Sequence, residues 1–342
     1  MSDALRDSAE RLFATHTGRD VLRAADAGTF PQALWDAVTE AGFAAALLPE
    51  EAGGFGATVA EAMGLLHVAA AHAAPVPLAE AMLAGWLLAR AGQAVPEGVL
   101  SLAPVRLKDV LVLDGGRLTG TATRVPWARN AAALAVLVAG PDGLMVAAIP
   151  ASGFTVVHED TNLAGEPRDT VLFDAVVAAR PSGVTFAQLR AAGACLRTVQ
   201  IAGALSRALA VSVAYAQTRV QFGRAIGKFQ AIQHNLAIVA GQSAAAIAAA
   251  DMATDALAAD LDPFLVGAAK ARAGEAASLA AGLVHQSHGA IGFTQEYELH
   301  HLTRRLWSWR DEFGNEAEWN AAVGRAALEA GADGLWPRLT AA

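Results

Sequence analysis

Three alanine-rich runs with helical spacing, Leu189 to Thr218, Ala231 to Ala259 and Phe264 to Gly289, occupy most of the second half of this 342-residue chain. Ahead of them, from about Val99, the pattern changes to short β-rich runs: DVLVL, AAALAVLVAG, GLMVAAIP, FTVVHED and TVLFDAVVAA. The turn signals DGGRLTG, GPDG and PASG lie between them, at the spacing of an antiparallel sheet or small barrel. Up to about Gly92 the pattern is again helical, as in QALWDAVTEAGF and AEAMGLLHVAAAHAA, with LPEEAGGFG enforcing a turn between the two. Strands grouped together and bracketed by helices argue against the alternation of a doubly wound parallel sheet. The expected class is α+β, with an N-terminal helical domain over 1–97, a middle antiparallel β domain over 98–183 and a C-terminal helical domain over 184–342.

Composition removes several functions. A hydrophobic content of 54% supports a large core, and 25 basic against 33 acidic residues give a net charge of -8, which disfavours a grip on nucleic acid. The single cysteine, Cys195, can form no internal disulfide and reads as a small buried apolar residue. The opening MSDALRDSAERLF carries charges throughout and lacks a signal-peptide core, so a cytoplasmic address is expected. The apolar stretch from Leu236 is interrupted by Gln242 and Ser243 and stops at Asp251, which reads as a buried helix with no membrane crossing.

Two stretches could hold a ligand. AYAQTRVQFGRAIGKFQAIQHNLA, from Ala214, ends a helix at Arg219, turns through Phe222, Gly223 and Gly227, and restarts a helix at Gln230. Guanidinium and helix-end amides beside glycines suit a phosphorylated ligand, although a helix hairpin with a surface arginine reads the same way. HQSHGAIGFTQEYELHHLTRR, from His285, places Gln286, His288 and Gly289 where a helix ends. Its histidines suggest no metal site, because no cysteine or paired carboxylate completes a tetrahedral set and the adjacent His300 and His301 should point to different sides. G-x-G-x-x-G after a strand, G-x-S-x-G and the P-loop are all missing. Near the C-terminus, WSWRDEFGNE gathers Asp311, Glu312 and Glu316 beside Gly314.

Taken in order, these stretches resemble the acyl-CoA dehydrogenase family over nearly the whole chain. LWDAVTEAGFAAALLPEEAGGFG is similar to its N-terminal signature, GRLTGTATRVPWARNAAALAVLV to its middle-domain strand pair, and RVQFGRAIGKFQAIQHNLA to its flavin-binding signature. QSHGAIGFTQEY is similar to the motif Q-x-x-G-G-x-G-F-x-x-E-Y, with Ala290 in place of a glycine. The resemblance implies an N-terminal helical domain, a middle β domain and a C-terminal four-helix bundle. It also implies noncovalent FAD, with Arg219 at the pyrophosphate, Phe222 by the adenosine, and Gln230, Gln286, His288 and Gly289 lining the cofactor. Some of these contacts would come from a neighbouring subunit, so a homodimer, homotetramer or heterotetramer is implied. The implied reaction is αβ-dehydrogenation of an acyl-CoA thioester in lipid metabolism, as in fatty acid β-oxidation. Electrons would pass to an electron-transfer flavoprotein, and the base would be a desolvated glutamate of raised pKa.

That base is where the chain departs from the pattern. In register, the family's glutamate before a glycine falls on Phe313, and Glu312 stands one residue early. On a continuous helix one residue is about 100° of rotation, which would put Glu312 and Glu316 on a face away from the buried Leu306, Trp309 and Phe313 unless the backbone bends. The alternative family position, at the start of the first long C-terminal helix, falls on Gly193 and Ala194. LSLAPVRLKD replaces the usual loop before the strands, and the residues that flank the flavin fall on Arg124 and Pro126, with Trp127 near enough to substitute. The expected function is FAD-dependent acyl-CoA dehydrogenation with Glu312 as base. The alternative is a base-less subunit of a heteromeric dehydrogenase that supplies flavin contacts and assembly beside a second acyl-CoA dehydrogenase chain.

Overall fold

The computed structural model describes residues 1–106, 108–141, 143–259 and 261–340; Asp142 of the expected GPDG turn and Leu107 of LSLAPVRLKD lie outside them. Five helices come first: α1 (Asp3–His16), α2 (Arg19–Asp26), α3 (Gln32–Glu40), α4 (Val59–Ala71) and α5 (Leu78–Arg90). Helix α4 starts on a capping box in which Thr58 and Glu61 satisfy each other's backbone amides.

Strands β1 (Leu100–Ala103), β2 (Val110–Asp114), β3 (Arg117–Pro126), β4 (Ala133–Gly140), β5 (Gly143–Pro150), β6 (Phe154–His158), β7 (Arg168–Val176) and β8 (Arg180–Pro181) form one sheet in the order β6-β7-β3-β2-β4-β5-β8. Off this path β1 lies parallel to β4, Leu100 opposite Ala133, and β2 meets β4 in parallel at Val112 and Ala139. The sheet is therefore mixed rather than wholly antiparallel. The hairpin turns dictate antiparallel pairing for β2 with β3 and for β4 with β5, but β1 enters from α5 with no hairpin to fix its direction.

The remainder is helical: α6 (Phe186–Thr218), the small hairpin β9 (Val220–Gln221) and β10 (Arg224–Ala225), α7 (Gln230–Ala258), α8 (Pro263–His288), α9 (Leu299–Asp311) and α10 (Glu316–Thr340). Helix α6 starts on a second capping box, Thr185 with Gln188, and is buried from Leu189 to Leu205 almost without a break. It is the axis on which α4, α7, α8 and α9 pack. Helix α7 runs unbroken through Gln242, Ser243 and Asp251, as expected from the run Ala231 to Ala259; Ser243 turns inward and Arg272 donates to Gln242 at 2.5 Å. By length and composition α6 and α7 could each cross a bilayer; here they are packed bundle helices.

Candidate functional site

Helix α9 ends at Asp311, and the residues that follow determine the site. Glu312 is extended (φ -84, ψ 141), Phe313 takes a left-handed φ of 55, and Gly314 sits at φ 102. Only a glycine suits position 314: a Cβ there would stand 2.4 Å from Arg190 Nη2 and 2.5 Å from Trp319 Nε1. The helix expected to continue through Glu316 is thus broken, and Glu316 opens α10 instead, where Arg310 grips both its oxygens at 3.0 and 2.9 Å. The break turns Glu312 inward rather than onto a wet face.

Glu312 lands between two buried arginines. Arg168 donates to it at 2.7 and 3.0 Å, Arg197 at 2.8 Å, and Asn162 at 3.1 Å. Arg197 also reaches Glu80 of α5 at 2.5 Å, while Arg168 reaches Glu166 at 3.0 Å, and Glu166 lies 3.3 Å from Arg305. Three glutamates and three arginines form a neutral chain that ties α5, α6 and α9 to the loop before β7. Although burial alone would raise the Glu312 pKa, the charges of Arg168 and Arg197 and the hydrogen bonds from Arg168 and Asn162 hold it down at about 2. It is a carboxylate at every physiological pH, whereas a base poised for an α proton has its pKa raised toward the working pH.

Phe313 swings onto α6. A Cβ placed on Gly193 would lie 2.3 to 2.5 Å from three carbons of the Phe313 ring, so the phenyl occupies the space that a side chain at 193 would need. The two positions at which the resemblance would seat a base are packed against each other, and both are apolar.

A cavity of about 580 Å³ opens beside this turn, between the β domain and the helices. Arg106, Lys108, Arg124, Trp307, Glu312 and Phe313 are among its walls. Trp127 is not: it is buried, edge-on to Phe30 with ring centroids 6.0 Å apart, and lines a separate cavity of about 50 Å³. Arg124, at a left-handed φ of 57, stands where an aromatic flank of a flavin ring was expected.

The six expected cofactor contacts lie at the other end of α6. Arg219 caps α6, Phe222 is 93% exposed at the tip of the β9–β10 hairpin, and Gln230 begins α7. Gln286 is exposed near the end of α8, and Gly289 ends that helix at φ 69. His288 is buried, stacked on Tyr215 with centroids 4.5 Å apart; its Nδ1 faces the Val284 carbonyl at 2.8 Å, and its Nε2 is buried with no partner among the described residues. The antiparallel course of α6, α7 and α8 gathers these residues at one end, but Arg197 and Arg219 are about 33 Å apart along α6. One flavin cannot touch both ends within a single chain. The exposed end fits a flavin seated on a neighbouring subunit; the cavity beside Phe313, without its aromatic flank, fits a flavin ring poorly.

Other candidates have structural roles. Cys195 is buried, its thiol facing the Ala253 carbonyl at 3.2 Å, and burial pushes its pKa up. Contrary to expectation, the His300 and His301 rings lie together, tilted by 39° with centroids 3.9 Å apart, and with Asp26 they bring three possible ligand atoms within 4.8 Å. Arg304 pairs with that aspartate at 2.5 Å and opposes a cation there. The residues that sequence reasoning missed are Glu80, Asn162, Glu166, Arg168, Arg197 and Lys270. Only Arg197 and Lys270 carry a signal, Arg197 as a single charge in the apolar run GACLRTVQIAGA and Lys270 as one of two charges, with Arg272, in VGAAKARAG.

Two family models match the chain. The model for the acyl-CoA dehydrogenase N-terminal domain matches residues 2–95, and that for the C-terminal domain matches 183–316. Acyl-CoA dehydrogenase IpdE2 of Mycobacterium tuberculosis is 30% identical over 311 residues, covering 88% of this chain and 89% of the relative. FadE27 of the same organism is 31% identical over 319 residues, with 79% and 81% covered. The chain belongs to the acyl-CoA dehydrogenase family. Among solved structures, a variant of the Tcur3481-Tcur3483 steroid ACAD superposes with a TM-score of 0.87 at 26% identity, covering 95% of this chain and 97% of that one. The ChsE4-ChsE5 complex from Mycobacterium tuberculosis gives a TM-score of 0.83 at 23% identity, covering 96% and 98%, a likeness of fold.

Proposed function

We propose that this chain is the base-less subunit of a heteromeric, FAD-dependent acyl-CoA dehydrogenase. The observation that carries this reading is the packing of Phe313 on Gly193, which puts a phenyl ring where either version of the family's base would stand. The neighbouring acid supports it, because Glu312 is held by two arginines and has its pKa depressed, the reverse of what proton abstraction needs. The partner would be a longer chain of the family that contributes the base and the seat of the flavin ring. This chain would contribute Arg219, Phe222, Gln230, Gln286 and Gly289 to the partner's FAD, whose role is to accept hydride from the β carbon. That arrangement gives one FAD for every two chains. The relatives that form two-chain complexes agree with it, and the likeness to a steroid dehydrogenase favours a bulky acyl-CoA thioester over a short straight chain. An electron-transfer flavoprotein would reoxidise the complex, and a cytoplasmic location is part of the same reading.

The test is purification of this chain alone and with a longer family member that carries a glutamate at the base position. A flavin spectrum and an anaerobic acyl-CoA titration follow. We expect flavin to be retained only in the complex, at one per two chains, and bleaching by acyl-CoA to survive Glu312→Gln in this chain. One FAD per chain in the isolated protein, with bleaching abolished by Glu312→Gln, would overturn the proposal and restore Glu312 as the base.

A further inference from the structure

Lys270 is 1% exposed and, among the described residues, pairs with no carboxylate; its ammonium ends on two backbone carbonyls, Arg310 O at 2.6 Å and Gly314 O at 2.9 Å. These carbonyls lie on either side of the break that carries Glu312 and Phe313. Another carbonyl of the turn, Phe313 O, accepts from Trp319 Nε1 at 3.0 Å. The surface of α8 around Lys270 is shaped to let the turn come close. Gly267 lies under the Trp319 ring, where a Cβ would stand 2.6 Å away, and Gly274 lies under Glu316, where it would stand 2.2 Å away. Glu316 is the nearest acid, but Arg310 already holds both its oxygens, so Lys270 is left to the carbonyls.

We propose that Lys270 is the positioning residue of this turn: by binding the carbonyls on both sides of Phe313 it holds the left-handed backbone that swings Glu312 into the arginine chain and Phe313 onto Gly193. A helix free of this constraint would continue past Asp311 and rotate both side chains away from those seats. The assignment concerns the turn itself and holds whichever chain carries the base.

The hold depends on charge. An ammonium donates charge-assisted hydrogen bonds roughly twice as strong as neutral ones, and the end of α9 presents carbonyl dipoles that favour a cation. Around Lys270 stand Glu316 from α10, Asp311 and Glu312 from the end of α9, and Arg197 from α6. Burial outweighs the three acids and lowers the lysine's pKa to about 7. The turn is therefore held by a charge that is lost as pH rises through neutrality.

The test follows the turn through Trp319. Tryptophan emission of the wild-type chain is titrated from pH 5.5 to 9, with W319F subtracted to isolate that ring. We expect a transition with its midpoint near 7, absent in Lys270→Arg, which keeps its charge throughout the range, and absent in Lys270→Met, whose Trp319 emission should match the high-pH wild type at every pH. If Lys270→Met does not fold, Lys270→Arg still decides the matter. A flat wild-type titration, or a transition that persists in Lys270→Arg, would overturn the proposal.

Discussion

The two ends of α6 have opposite characters. At Gly193 and Arg197 the helix is sealed: Phe313 fills the groove, Glu312 lies between arginines, and Arg197 is 1% exposed. At Arg219 the helix ends in the open, with Phe222 93% exposed on a two-stranded hairpin. A chain that supplied the base itself would keep the space at 193 and 313 open to substrate. Here the space at the two base positions is filled by the Phe313 ring beside the cavity, and the residues at the other end are presented to solvent. On the proposed function, proton removal would fall to a partner chain while the open end of α6 serves its cofactor.

The largest effect is expected from breaking the sealed end. Arg197→Ala would remove the cation shared by Glu80 and Glu312; Glu312 keeps Arg168, but the buried Glu80 loses its arginine. Removing one partner of a buried ion pair costs about 3–5 kcal/mol, and denaturant melts of the isolated chain should show a loss of that size. A loss under about 1 kcal/mol would mean that water already screens the chain of charges and that the seal is weaker than its geometry.

The contrast between the ends was only half legible in the sequence. The exposed end was readable because its residues lie close together in two motifs, and the antiparallel course of three long helices then collects them. The sealed end was not. Its ion chain joins Glu80, Asn162, Glu166, Arg168, Arg197, Arg305 and Glu312, residues separated by up to 232 positions, of which only Arg305 and Glu312 lie in stretches the sequence singles out. Periodicity also misled at Glu312, because it assumes an unbroken helix, and the break at Phe313 depends on a lysine 43 positions earlier and on a glycine that makes room for Arg190 and Trp319. The helices themselves were readable to within a few residues, since alanine-rich runs with caps at Thr185 and Asp262 leave little choice. The direction of β1 was not, because only tertiary packing decides it.

A second, smaller effect should appear with acid. Glu312 has its pKa lowered from 4.5 to about 2 in the folded protein, so its contribution to stability is fully present above about 4.5 and is lost as pH falls toward 2. Between these limits the unfolded chain binds the extra proton, and stability falls with falling pH. In Glu312→Gln this part of the pH dependence should vanish, leaving a shallower acid limb than wild type when melting temperature is followed from pH 5 to 3. An unchanged slope would show that another carboxylate of the chain, not Glu312, takes the first proton.

The smallest effect on stability, and the sharpest on the comparison, is expected at the open end. Phe222 touches little of its own chain beyond an edge-on contact with Phe229, centroids 6.1 Å apart. Phe222→Ala should therefore change the melt of the isolated protein by no more than about 0.5 kcal/mol. If the ring and Arg219 are made for a neighbour's flavin, the same change combined with Arg219→Ala should weaken FAD retention in the two-chain complex by about tenfold or more, since charge-assisted hydrogen bonds are lost with the guanidinium. Flavin released on gel filtration of the complex measures this directly. Changes at the sealed end would then unfold the chain without touching the cofactor, and changes at the open end would release the cofactor without touching the fold. A complex that keeps its flavin after both open-end residues are lost would mean that these side chains are exposed for some other contact, and the division of labour along α6 would have to be abandoned.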